Sequence, residues 1–236
     1  MTERLKEFLQ PGPCVDSEHP HIVDLARDIT ESGRSERENA VALYYYVRDS
    51  FRYNPYALGA TQDDWRASEV LKTGEGWCVP KAVLLAALCR ASGIPARLGF
   101  ADVVNHLSTE RMRASMETDV FYYHGYCSIF LDGQWVKATP AFNLSLCEKF
   151  GLQPLEFDGA NDSLYHEFDQ AGNRHMEYVS ERGEFADVPY EDIIAVFKEH
   201  YPKMMATGAD SGNTEVQALD PSEWEADVEK EMTPSV

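Results

Sequence analysis

Basic residues are scarce in this chain: 21 lysines and arginines stand against 40 aspartates and glutamates, a formal net charge of −19. So acidic a surface repels phosphate backbones and anionic headgroups, which excludes nucleic acid and the membrane surface as partners. Long apolar runs are missing too. The longest spans 82–89, far short of the ~20 residues of a membrane helix. The N-terminal MTERLKEFLQPGP carries neither a signal peptide nor an anchor. Cysteines are few and scattered, at 14, 78, 89, 127 and 147, with no C-x-x-C pair. That is neither a disulfide framework nor a zinc pattern, and His19-x-His21 is too isolated to hold a metal. There are no repeats and no Gly-rich phosphate loop. These absences point to a soluble cytoplasmic protein that needs no metal or other cofactor.

The 236 residues suffice for one large domain with an appendage. Ser17 is placed to cap a helix carrying Ile22, Leu25, Ala26 and Ile29 on one face. Ser35 and Glu38 have capping-box spacing for a second helix through about Ser50. Phe51–Tyr56 reads as extended, and a short helix over 67–72 leads into the loop Gly74-Glu75-Gly76-Trp77. Ala96–Asp102 is a predicted strand, followed over 105–118 by an excursion of the kind that covers sites. Two stretches, 164–169 and 175–179, have the pattern of a hairpin around Gly172-Asn173, and Asp187 is placed to cap a helix from Pro189. Domain boundaries follow from composition: 1–205 forms the body and 206–236 an acidic, flexible tail. Its stripe of Trp224, Val228 and Met232 can dock on the body or on a protein partner.

The informative stretch is Gly76-Trp77-Cys78-Val79-Pro80-Lys81, running into Ala82–Arg90. Pro80 is compatible with a first helical turn, and the residues that follow are apolar on nearly every face, so this helix should be buried. Cys78 then sits at a helix N-terminus, where the positive end of the dipole favours the thiolate nucleophile. The alternative is a core cysteine, since free cysteines are commonly buried. A thiolate needs a histidine as base. Of seven histidines, only His124 lies inside a strongly alternating strand, Phe121–Leu131. Asp132-Gly133 signals a two-residue hairpin that pairs Leu131 with Gln134. In that register Thr139, Ala141 and Asn143 share a face with His124.

Gly76-x-Cys78, the apolar helix, Leu88-Cys89-Arg90-Ala91-Ser92-Gly93-Ile94-Pro95-Ala96-Arg97, then His124 and Trp135-Val136 after a turn, together resemble the transglutaminase-like superfamily core over about residues 36–143. The resemblance implies an α+β, papain-like fold, with a helical lobe carrying the nucleophile against an antiparallel sheet carrying the histidine. It also implies a thioacyl intermediate formed on a peptide or amide substrate and released by water or by an amine, as in a cysteine protease, an amidase or a transglutaminase. Hydrolysis is the favoured outcome, because acyl transfer requires water to be excluded. Cys78 would be nucleophile and His124 general base and acid. One position departs from the pattern: Thr139 stands where the family places Asp or Asn, and Asn143 is the reserve orienter. Trp77 is a candidate for the oxyanion site or substrate wall, with the Cys78 backbone N–H. Arg97 is expected to pair structurally. The missing acid supports a second reading, a weakly active or inactive protein of this fold that binds or scaffolds.

Overall fold

The molecule is built around the helix that Cys78 begins. The computed structural model describes residues 3–105, 108–164, 176–205 and 219–232. In chain order these form α1 (Glu3–Lys6), α2 (Pro20–Ile29), α3 (Glu36–Ser50), β1 (Arg52–Tyr53), α4 (Ala67–Thr73), β2 (Glu75–Gly76) and α5 (Cys78–Ala91). Then come β3 (Ala96–Asn105), α6 (Glu110–Met116), β4 (Val120–Leu131), β5 (Gln134–Ala138) and α7 (Leu144–Phe150). The last elements are β6 (Met176–Phe185), α8 (Tyr190–His200), α9 (Pro202–Met205) and α10 (Trp224–Met232). An antiparallel sheet in the order β5-β4-β3-β6 packs against α5, and α2, α3 and α4 cover the helix from the other side. This is the expected α+β layering of a helical lobe on a sheet.

Local sequence accounts for most of the frame. The Ser35–Glu38 capping box starts α3: the Ser35 Oγ accepts the Glu38 N–H at 3.2 Å, and Glu38 accepts the Ser35 N–H at 2.8 Å. Helix α2 instead begins at Pro20 with His19 as N-cap, not with Ser17. The hairpin register is the expected one, Leu131 opposite Gln134. Asp132 (φ +48°) and Gly133 (φ +87°) both sit in the left-handed region that a type I′ turn requires. Strand β3 runs three residues beyond the predicted Asp102, and α6 occupies the excursion after it. The hairpin anticipated around Gly172-Asn173 lies largely outside the described residues; its last stretch belongs to β6.

Helix α5 is buried on every side because its sequence leaves no polar face apart from Lys81 and Arg90. Leu84, Leu85 and Leu88 are completely buried, each worth about 2 kcal/mol of apolar transfer. Lys81 is buried as deeply, and its Nζ donates to the carbonyls of Arg48 (2.9 Å), Phe51 (2.7 Å) and Ala141 (2.7 Å). Three acceptors match the three protons of an ammonium. Burial pulls in the other direction, lowering the Lys81 pKa to about 7. The lysine thus ties the end of α3 and the chain beyond β5 to the first turns of α5. Arg90 does the same near the other end, donating to the carbonyls of Ala96, Gln10 and Ala186.

The C-terminal segment departs from expectation. Residues 206–218 and 233–236 of the expected flexible tail lie outside the described residues; residues 221–232 are helical and packed on the body, with Trp224 and Val228 buried. The physical reason is that the thin apolar stripe meets an aromatic seat while its carboxylates meet cations from three separate parts of the chain.

Candidate active site

Cys78 is the first residue of α5, and Trp77 precedes it in an extended conformation as N-cap. The Cys78 Sγ accepts the backbone N–H of Gly125, the residue after His124, at 3.5 Å. Glycine is required there. A Cβ on Gly125 would lie 3.0 Å from the Val79 Cα and 2.9 Å from its Cγ2, so only a bare backbone lets β4 approach the first turn of α5 so closely. Cys78 and His124, 5% and 6% exposed, line one recess of about 380 Å³ together with Trp77, Tyr53, Met112 and Phe121. The sequence-predicted nucleophile and base therefore lie on one cavity, the first by helix position and the second by strand position.

The strand does not alternate without interruption. Ala101 pairs with His124 but Val103 pairs with Phe121, so Asp102 alone faces Tyr122 and Tyr123. This is a β-bulge, with Tyr123 at φ +56°. Asp102, which sequence reasoning missed, fixes it. Its buried carboxylate accepts the Tyr123 N–H at 3.1 Å, the Ser180 hydroxyl at 2.8 Å and the Arg182 guanidinium at 2.8 Å. The bulge sits immediately before His124 and so sets where the imidazole leaves the strand. No local signal marks it, since its anchor lies 21 residues upstream.

Neither expected orienter hydrogen-bonds to His124 in this structure. Strand β5 ends at Ala138, so the shared face does not extend to Asn143, which instead begins α7. Its side-chain oxygen accepts the Tyr53 N–H at 3.0 Å, and its amide donates to the Ser145 Oγ at 2.7 Å. Thr139 is buried, and its hydroxyl makes no hydrogen bond among the described residues. The Thr139 backbone is held, its N–H donating to the Ser163 carbonyl at 2.8 Å.

The expectation of an activated thiolate is also corrected. Burial pushes the Cys78 thiol up to about 12, and the N–H groups of Gly125, Val79 and Cys78 itself only partly offset it. A helix N-terminus contributes at most ~2 kcal/mol, too little to outweigh removal from water. Burial, and then the nearness of Cys78, raise the Tyr53 phenol well above its ordinary value. Burial thus works against the thiolate at Cys78.

Trp77 lines the recess, its ring edge-on to Trp65 at 5.1 Å, and its indole N–H has no acceptor among the described residues. It is a donor available to a ligand beside the nucleophile. Arg97 has the expected structural role, paired with Glu184 and stacked 4.0 Å from the Trp135 ring. Cys14, Cys89, Cys127 and Cys147 are all free and buried, and burial raises each thiol. Among the described residues no group of three His, Cys, Asp or Glu side chains is arranged to hold a metal, and no helix is long and apolar enough to cross a membrane.

A cysteine opening a buried helix, set against a histidine on an antiparallel strand, defines the class of papain-like thiol folds. The sequence profile of the Transglutaminase-like superfamily matches residues 23–140, half of the chain, and the chain belongs to that superfamily. Three solved structures are similar at low identity. One is a protein provisionally named a cysteine protease from Cytophaga hutchinsonii, with 16% identity, a TM-score of 0.47, and 78% of this chain and 55% of that one covered. A provisionally named protease from Parabacteroides distasonis has 17% identity and a TM-score of 0.38, over 57% of this chain and 25% of that one. The periplasmic domain of TgpA from Pseudomonas aeruginosa has 20% identity and a TM-score of 0.41, over 59% and 48%. The chain thus spans about half the length, or less, of the structures it resembles. A search of curated proteins finds no match.

Proposed function

We propose that this chain is a cysteine enzyme that cleaves or transfers an amide or peptide acyl group through a thioacyl intermediate, with hydrolysis as the favoured outcome. The observation that carries the reading is the meeting of Cys78 Sγ and β4 at Gly125, one residue from His124, on a shared cavity. In the reaction, His124 takes the thiol proton as Sγ bonds to the acyl carbon, and returns it to the leaving nitrogen as the C–N bond breaks. Water, or an amine in the transfer variant, then attacks the thioester. His124 removes the attacking group's proton and hands it back to Sγ. The Cys78 backbone N–H and the Trp77 indole N–H are the donors assigned to the oxyanion. The scheme uses no cofactor, and five free thiols suit a reducing compartment such as the cytoplasm.

The second reading is a binding or scaffolding protein that keeps the fold. It is favoured by the Thr139 hydroxyl, which makes no bond to the imidazole, and by the burial that works against the thiolate at Cys78. Turnover of a peptide-amide library by wild type, Cys78→Ala and His124→Ala decides between them. Loss of about 10⁴-fold in both variants with melting temperatures held, and a thioacyl adduct on Cys78 trapped by acid quench, support catalysis. Equal rates in all three proteins, or no turnover of any library member, establish the binding reading.

A further inference from the structure

The C-terminal segment occupies a seat that continues into the Cys78 recess. Trp224 is 5% exposed and edge-on to Tyr56 at 5.2 Å and to Tyr53 at 6.2 Å. The narrow crevice against Trp224 is walled by Tyr53, Pro55, Met112 and Phe121, and all four also line the Cys78 recess. One layer of side chains separates the tail's anchor from the nucleophile.

Charge complements shape. The chain is strongly acidic as a whole, yet this face gathers cations around one acidic helix. Arg111 pairs with Glu223 and Asp227, Arg52 with Glu225 at 3.2 Å, Lys149 with Glu229 at 3.4 Å and Arg113 with Glu231 at 3.6 Å. The Tyr56 hydroxyl donates to Asp227 at 2.9 Å, and the Asn54 amide to the Pro221 carbonyl at 2.9 Å. A shallow, half-open recess lies beside Trp224, lined by Arg52, Lys149 and Val228. A helix held by one aromatic anchor and a rim of ion pairs is built like a ligand in a groove.

We propose that this groove is a binding site for an acidic peptide segment with an aromatic anchor, and that residues 219–232 are its resident, displaceable occupant. While seated, they back the wall of Tyr53, Pro55, Met112 and Phe121 that the Cys78 recess shares, and so limit access to the thiol. When they leave, a segment of the same chemistry on another protein takes the seat and lies beside the nucleophile. As a binding site the groove stands without catalysis; as a substrate subsite it rests on Cys78 being the nucleophile.

The test uses the full chain carrying Trp224→Ala and a fluorescein-labelled synthetic peptide of residues 219–232. The peptide should bind saturably by anisotropy, lose affinity between about 0.05 M and 0.5 M salt, and fail to bind when its own tryptophan is replaced by alanine. Iodoacetamide should alkylate Cys78 about tenfold faster in Trp224→Ala than in wild type, and excess peptide should restore the slow rate. Absence of saturable binding, or alkylation that the peptide does not slow, overturns the proposal. Should Trp224→Ala fail to fold, Arg111→Ala carries the same two measurements. Both readouts report binding and access only, so they succeed or fail independently of any turnover by Cys78.

Discussion

Helices α5 and α10 are held by opposite means. Helix α5 is enclosed by apolar side chains, with its one lysine caged by carbonyls. Among the described residues, helix α10 touches the body through one tryptophan, one valine and a rim of ion pairs, two of them with both partners more than a third exposed. Exposed pairs contribute little each and are screened by salt, whereas burial of the α5 face is indifferent to salt. The fold thus combines a fixed wall, α5, with a helix held mainly at its rim, α10.

The contrast can be broken most severely at Lys81. Lys81→Met should cost about 3 kcal/mol, because three buried carbonyls lose their donor; urea midpoints at constant m-value measure it. A loss under ~1 kcal/mol would mean that the cage contributes nothing to the rigidity of α5. Next comes Gly125→Ala, expected to cost about 2 kcal/mol by overpacking against Val79, and to alter Cys78 alkylation because β4 must shift. An unchanged melting temperature would show that the junction yields.

Alkaline pH is a milder probe. Cys78, Cys14 and Cys89 are pushed up to about 12 and Cys147 to about 11, against ~8.5 for an ordinary thiol. Their folded values exceed the unfolded one, so this stability is complete below pH ~8.5. It falls as pH rises, by up to ~1.4 kcal/mol per unit for each thiol. Urea midpoints compared between pH ~8 and ~10 should decline, and Cys147→Ser should flatten the slope. A level profile would contradict burial of the thiols. The smallest effect belongs to Arg52→Ala, worth under ~0.5 kcal/mol but expected to speed Cys78 alkylation measurably. A larger stability loss would place α10 with the fixed wall.

What was legible in the sequence divides along the same line. The Ser35–Glu38 box, the Asp132-Gly133 turn with its register, and the buried Cys78 helix are written in neighbouring residues, and the structure has them. Features that depend on distant partners were not legible. The bulge before His124 needs Asp102, and the docking of α10 needs Arg52, Arg111, Arg113 and Lys149, which only the folded chain brings together. Strand termination at Ala138 removed Asn143 from the face that periodicity gave it. Both the helix terminus and the burial of Cys78 are visible in the sequence, but not which of the two dominates the thiol; the structure shows burial acting against the thiolate.

The carbonyl cage around Lys81 has a consequence for the order of folding. Its acceptors come from residues 48, 51 and 141, so the ammonium cannot leave water until α3 has ended and the hairpin has already turned back. Formation of α5 is local and fast, but its burial waits on a closure spanning sixty residues. During refolding the Lys81 amine should therefore stay open to pulsed acylation after helical signal has appeared, and become protected only as the sheet forms. Protection that keeps pace with helix formation would show that the helix is buried before the cage is built.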